Sequence, residues 1–151
     1  MEEFIMTQET FNRLWQRVQG AEAAPPHPNP SDALRCFLDE TAQSLALERR
    51  LQARCAELLP LCRNTFSRLR RLHAAYYLQT GERYCPPETC PVRGGILPEL
   101  RADCLASRAR AERYTAAAES APDDLAALYE TLSSEEQTHS ERLAALLCRL
   151  L

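Results

Sequence analysis

Lysine is absent from this 151-residue chain: all 18 basic side chains are arginine, set against 21 acidic ones for a formal net charge of −3. A slight excess of acid leaves no basic face of the kind nucleic acid requires, so the arginine usage reads as a genomic codon bias over a solvated, mixed surface. Glycine is scarce at four residues and aromatics are only 7%, while Ala, Leu, Arg and Glu dominate; that balance disfavours strands and favours helices. Long apolar runs are also missing. None nears the roughly 18 residues that span a bilayer. Met1-Glu2-Glu3-Phe4 is acidic where a secretory signal would be basic, so cytoplasm is the expected compartment. There is no Gly-rich phosphate loop and no Gly-x-Ser-x-Gly elbow. Seven cysteines, an odd number, sit mostly inside helical patterns, where a reduced thiol behaves as a small hydrophobe rather than as half of a disulfide.

What remains describes one compact all-α domain with a core of its own. Residues 7–19 read as a short amphipathic helix, with Phe11, Leu14, Trp15 and Val18 on one side. The Pro-rich linker 24–30 follows, so 1–30 forms a leading segment and 31–151 the main domain, with Ser31 a suitable N-cap. The first bundle helix is expected over 32–58, its inward stripe being Leu34, Phe37, Leu38, Thr41, Leu45, Glu48, Leu51, Cys55 and Leu58. Pro60 marks a reversal into a second helix that stops at Gly81, with Phe66, Leu69, Leu72 or His73, and Tyr76 inward. Residues 81–96, dense in Pro, Gly and Cys, are long enough to cross the length of a four-helix bundle, so that the second and third helices run in the same direction. A third helix over 98–119 carries Leu100, Cys104, Ser107, Ala111, Tyr114 and Ala118 inward. A fourth, over 123–150, carries Leu125, Leu128, Leu132, Glu136, His139, Leu143, Leu146 and Leu150. A weak internal repeat sets Glu48 over Ser107 and Cys55 over Tyr114, as duplication of a helical hairpin would do.

Polar residues on these stripes are the candidates for chemistry. Glu48 falls where an apolar residue belongs, and a carboxylate on a core face needs a partner. Glu136 and His139, three apart, project from one helix face about one turn apart, close enough to share a metal ion. Counted from the hairpin turns at about 1.5 Å per residue, Glu48, His73, Glu136 and His139 come to similar heights. A single core His or Glu is more often a hydrogen-bonded structural residue; four at one level point towards a metal.

The Glu136-x-x-His139 step, Glu48 seven residues before Cys55, the second-helix ending Tyr76-Tyr77-Leu78-Gln79-Thr80-Gly81 and the Cys/Pro-rich crossover together resemble the ferritin-like superfamily, and within it the rubrerythrin-type proteins, over about residues 32–150. The resemblance implies a di-iron carboxylate centre, with a Glu from each of two helices and a Glu-x-x-His from each of the other two. It also implies peroxide reduction, iron oxidation or storage, and pairing of bundles through helix faces as a homodimer, with a redox partner left unnamed.

The chain departs from that pattern. Between Glu57 and Glu82 there is no Asp or Glu, so the second helix lacks its bridging carboxylate. By bundle height its step reads Arg70-x-x-His73; by the register of Tyr76-Tyr77 it falls on Thr65 and Arg68. The third helix offers Ser107, and Glu112 lies about 140° round from it. Two outcomes are therefore open. Either Glu48, His73, Glu136 and His139 hold one ion, Fe or Mn with Zn a weaker fit, or no ion binds and Arg68 or Arg70 neutralises Glu48 or Glu136 in its place, leaving a metal-free structural or interaction module. Cys85-x-x-x-x-Cys90 supplies one pair of thiols, too few for a tetrahedral zinc site. His27 is expected to be solvated.

Overall fold

The computed structural model describes residues 29–88 and 94–151; the expected helix at 7–19, His27 and Cys90 lie outside these. Four long helices make up the described chain: α1 (Pro30–Gln52), α2 (Leu59–Thr80), α3 (Ile96–Ser120) and α4 (Asp123–Leu150), with a 3-10 turn at Ala56–Leu58. Helix α1 starts slightly earlier than Ser31 suggests, because Asn29 takes the N-cap role. Its side chain accepts a hydrogen bond from Ser31 N at 3.1 Å, and Pro30 fills a first-turn position where no N–H is needed. Helix α1 also stops earlier than expected. The backbone turns extended at Cys55, the N–H groups of Arg54 and Cys55 both return to Leu51 O, and the 3-10 turn completes the reversal before Pro60 in the first turn of α2. At the other end of α2, Gly81 adopts φ 70° and closes the helix with a 2.8 Å bond to Tyr77 O.

Contacts along the helices set their directions. Glu48 meets Thr65 and Ser107 meets Glu136, as two antiparallel hairpins require. Ser44 meets Asp103 and Glu40 meets Arg113, so α1 and α3 are antiparallel; Arg68 meets Glu136 and Arg71 meets Glu135, so α2 and α4 are too. Helices α2 and α3 are therefore parallel, and residues 81–95 carry the chain from one end of the bundle to the other. At 22 residues α2 is about 33 Å long, and a connection of this size can reach about 50 Å when extended.

The core is divided in two. At the end where α2 closes, Leu34, Phe37, Leu72, Tyr76, Tyr114, Leu125, Tyr129 and Leu132 pack together, with Phe37 stacked on Tyr114 at a 4.0 Å centroid separation. At the end of the first reversal, Leu45, Leu51, Leu58, Leu61, Leu100, Cys104, Leu143 and Leu146 form a second cluster. Each buried leucine contributes about 1.5–3 kcal/mol by leaving water. Every residue expected on the inward stripe of α1 is buried. On α2 the buried stripe is instead Leu61, Cys62, Thr65, Arg68, Leu72 and Tyr76. Phe66 is displaced to the surface at 43% exposure, flanked by the guanidiniums of Arg49 and Arg70. Leu150, expected inward on α4, is exposed as well.

Candidate functional site

Between the two apolar clusters lies a buried polar layer to which all four helices contribute: Ser44 and Glu48 from α1, Thr65 and Arg68 from α2, Asp103, Ser107 and Arg110 from α3, Glu136 and His139 from α4. Glu48, Thr65, Ser107 and Glu136 have no exposed surface at all. Polar groups so placed must satisfy one another, since no water competes for them.

Glu136 is the hub of one half. It accepts hydrogen bonds from Ser107 Oγ and, at 2.9 Å, from Arg110 Nε, while Arg68 Nε stands 3.3 Å from the same carboxylate oxygen. Burial alone would push the Glu136 carboxyl up; Arg110 first and Arg68 next outweigh it and hold the group below the usual carboxylate range. The other ends of the two guanidiniums reach outward in matching fashion. Arg68 Nη2 donates to Thr65 Oγ1 at 3.1 Å, and Thr65 donates to Glu48 at 2.8 Å. Arg110 Nη2 donates to Ser44 Oγ at 3.1 Å, and Ser44 donates to Asp103 Oδ1 at 2.8 Å.

Glu48, Asp103 and His139 form the other half. Among the described residues they are the one group of three whose ligand atoms lie within 4.8 Å of one another. His139 Nε2 is 2.8 Å from Glu48 Oε1. Burial pushes the Asp103 carboxyl up to about 8, helped by the Glu48 charge, and Glu48 up to about 7, partly offset by the hydrogen bonds from Asp103 and Thr65. Burial, reinforced by Arg68, holds the His139 imidazole down to about 4, so the ring is neutral. Counted as charges, the layer holds three carboxylates and two guanidiniums and lacks one positive charge. His139 Nδ1 is buried with no hydrogen-bond partner, and Asp103 Oδ2 has none while both carboxyls are ionised. Two carboxylates side by side can share only a proton or a cation, so a proton between Asp103 and Glu48 supplies the missing charge in the metal-free protein.

Of the four residues expected to converge, Glu48, Glu136 and His139 lie in this layer and His73 does not. His73 packs edge-on against Tyr84 at 5.1 Å, near the α2 end of the bundle, where partial burial holds its imidazole below the usual range. The height count misplaced it because the 3-10 turn shortens the climb out of the reversal, which puts Thr65 and Arg68, rather than Arg70 and His73, opposite Glu48. Arg70 lies on the surface beside Phe66, and Glu112 is exposed. Cys85 is a free, exposed thiol. Asp103 and Arg110 lie outside the α3 stripe expected inward, which runs through Leu100, Cys104, Ser107, Ala111, Tyr114 and Ala118. The available signal was their spacing: opposite charges seven apart, each three residues after a stripe position, Leu100 or Ser107, lie on the flank of the same face.

The layer is reached from one side by a groove of about 550 Å³ between α1 and α3, lined by Ser44, Asp103 and Arg110 and widened by Ala102, Ala106 and Ala109. Comparison with protein-family models, curated proteins and solved structures finds no match to this chain.

Proposed function

We propose that this chain is a ferritin-like bundle of the rubrerythrin type whose two-ion carboxylate centre has contracted to a single divalent-cation site on Glu48, Asp103 and His139. One observation carries the reading: three ligand atoms from three helices lie within 4.8 Å of one another in a buried layer. The donor set fits one ion and not two. One imidazole nitrogen with two carboxylates suits Mn(II), Fe(II) or Zn(II), and each carboxylate is already oriented by a hydroxyl, as good metal ligands are. Where a second ion would need a Glu-x-x-His step from α2, Thr65 and Arg68 stand instead, and Glu136 is already taken by two guanidiniums.

An Fe or Mn ion at this position would supply one-electron chemistry towards oxygen or peroxide. The protein's own part is defined by its side chains. Glu48, Asp103 and His139 bind; Thr65 and Ser44 orient; the apolar clusters above and below exclude water; the Ser44–Asp103 groove admits small solutes. The cytoplasm suits this reading, since the six described cysteines are free; no helix among the described residues is long and apolar enough to cross a membrane.

Metal analysis after equilibration with Mn(II), Fe(II) without oxygen, or Zn(II) tests the proposal. One equivalent should bind to the wild type and be lost in Asp103→Asn, Glu48→Gln and His139→Ala, and a chelator should lower the melting temperature of the loaded protein by linkage. A well-folded wild type that takes up none of these ions would overturn it. The metal-free bundle is the second reading, favoured by the way Arg68 and Arg110 close on Glu136 and leave only a proton's charge to be supplied.

A further inference from the structure

On the opposite flank from the Ser44–Asp103 groove, α2 and α4 leave a pocket of about 260 Å³ between Asn64 and Arg68 on one helix and Ser134, Thr138 and Arg142 on the other, with His139 in its wall. Its charges are unequal. Arg68 is 2% exposed; its Nε faces Glu136 Oε1 at 3.3 Å, its Nη2 donates to Thr65 Oγ1, and its guanidinium lines the pocket from the inner side. Glu136, its counter-ion, is divided between Arg68 and Arg110. Arg142 is exposed and forms no ion pair among the described residues. The one carboxylate at the rim, Glu135, is held by Arg71 at 2.6 Å and is thereby neutralised. Two further donors, the Asn64 amide and the Ser134 hydroxyl, have no protein partner among the described residues.

We infer that this pocket binds a small oxyanion of the orthophosphate type. Guanidinium groups recognise the planar edge of an oxyanion through paired N–H donors, and Arg142, which has no carboxylate partner among the described residues, stands beside a second guanidinium whose one counter-ion is shared. Buried Arg68 and exposed Arg142 line the pocket from α2 and α4, and Asn64 and Ser134 supply neutral donors from the same two helices. The volume lies below the roughly 300–1,000 Å³ of pockets that take drug-sized organic ligands, which selects a small anion over a nucleotide. His139 stands in the wall of this pocket, yet the inference does not rest on a cation at Glu48, Asp103 and His139, because the donors assigned to the anion belong to other side chains.

Calorimetric titration of the full chain with inorganic phosphate, at ionic strength held constant with chloride, tests the inference. The wild type should bind one phosphate saturably. Arg142→Ala should weaken it about tenfold or more, the loss expected for a charge-assisted hydrogen bond, and Asn64→Ala should weaken it less. Both residues are exposed, so neither change threatens the fold. Arg149→Ala, the same loss of charge two turns further along α4 at a residue paired with Glu57, should leave binding unchanged. A parallel titration with glycerol phosphate separates the sources of the ligand: weaker binding than orthophosphate identifies the free anion, and equal binding a phosphate carried on a small molecule. Absence of saturable binding in the wild type, or equal weakening by Arg142→Ala and Arg149→Ala, would overturn it.

Discussion

Among the described residues Glu136 is the one carboxylate shared by two buried guanidiniums, and it has no exposed surface. Glu136→Gln keeps the volume and removes the charge, leaving the buried Arg68 and Arg110 without their counter-ion. Breaking a buried pair in this way costs about 3–5 kcal/mol. Arg113, half exposed in its pairing with Glu40, provides the contrast: Arg113→Ala should cost about 1 kcal/mol or less, since surface ion pairs are screened. Urea unfolding of the two variants beside the wild type measures both. A Glu136→Gln protein as stable as Arg113→Ala would mean that the guanidiniums relax into solvent when released.

At the scale of the helices, the end of α2 depends on one left-handed residue. Gly81 sits at φ 70°, and a Cβ built there meets no atom within 4 Å, so Gly81→Ala tests the backbone alone. It should cost about 1–2 kcal/mol, the price of an L-residue in that region, and Gly81→Asn should cost less; thermal unfolding of both variants decides. This stop was legible in the sequence because glycine has so few alternatives there. The inward stripe of α1 was legible too, since eight of its nine members are neutral side chains at helical spacing. The face of α2 was not. Periodicity ranks residues by apolarity, so it sets Phe66 inside, while Arg68 enters the layer in only one of the two registers the sequence allows, and Glu136 on α4, its counter-ion, decides between them. Asp103 and Arg110 escaped for the same reason: each is tolerated inside because of groups on other helices, Ser44 and Glu48 for Asp103 and Glu136 for Arg110. Glu136 and His139 were legible because both stand at stripe positions of their own helix. The Thr65–Arg68 step that completes their layer carries no acidic ligand, so only the register of Tyr76-Tyr77 points to it, against a height count that points to Arg70 and His73.

The whole molecule should respond to pH through this layer. Asp103 and Glu48 are pushed up to about 8 and 7 from ordinary values near 4, so the folded protein keeps protons that the unfolded chain has given up. The stability they contribute is full below about pH 4 and is lost as pH rises through 7 to 8. His139, held down to about 4, acts in the opposite sense: unfolding takes up its proton below about pH 6.5, and its contribution fades as pH falls towards 4. Glu136, held low, likewise contributes above the ordinary carboxylate range and loses that contribution in acid. Between about pH 4.5 and 6.5 two carboxyls lose stability while one imidazole gains it, so the metal-free protein should be most stable near pH 4.5 and weaken towards pH 8, and Asp103→Asn should flatten the alkaline side. Unfolding free energies across this range check it; stability rising from pH 6 to 8 would contradict it.

Leucines above and below the layer could interleave in several vertical settings with little difference in energy, and the layer removes that choice. Sliding one helix by a single turn, about 5.4 Å, would draw Arg68 or Arg110 into an apolar cluster and strand Glu136 without either. The buried charges thus work as a ruler built into the bundle, giving four otherwise interchangeable helical surfaces a single alignment that leucine packing alone would leave undefined.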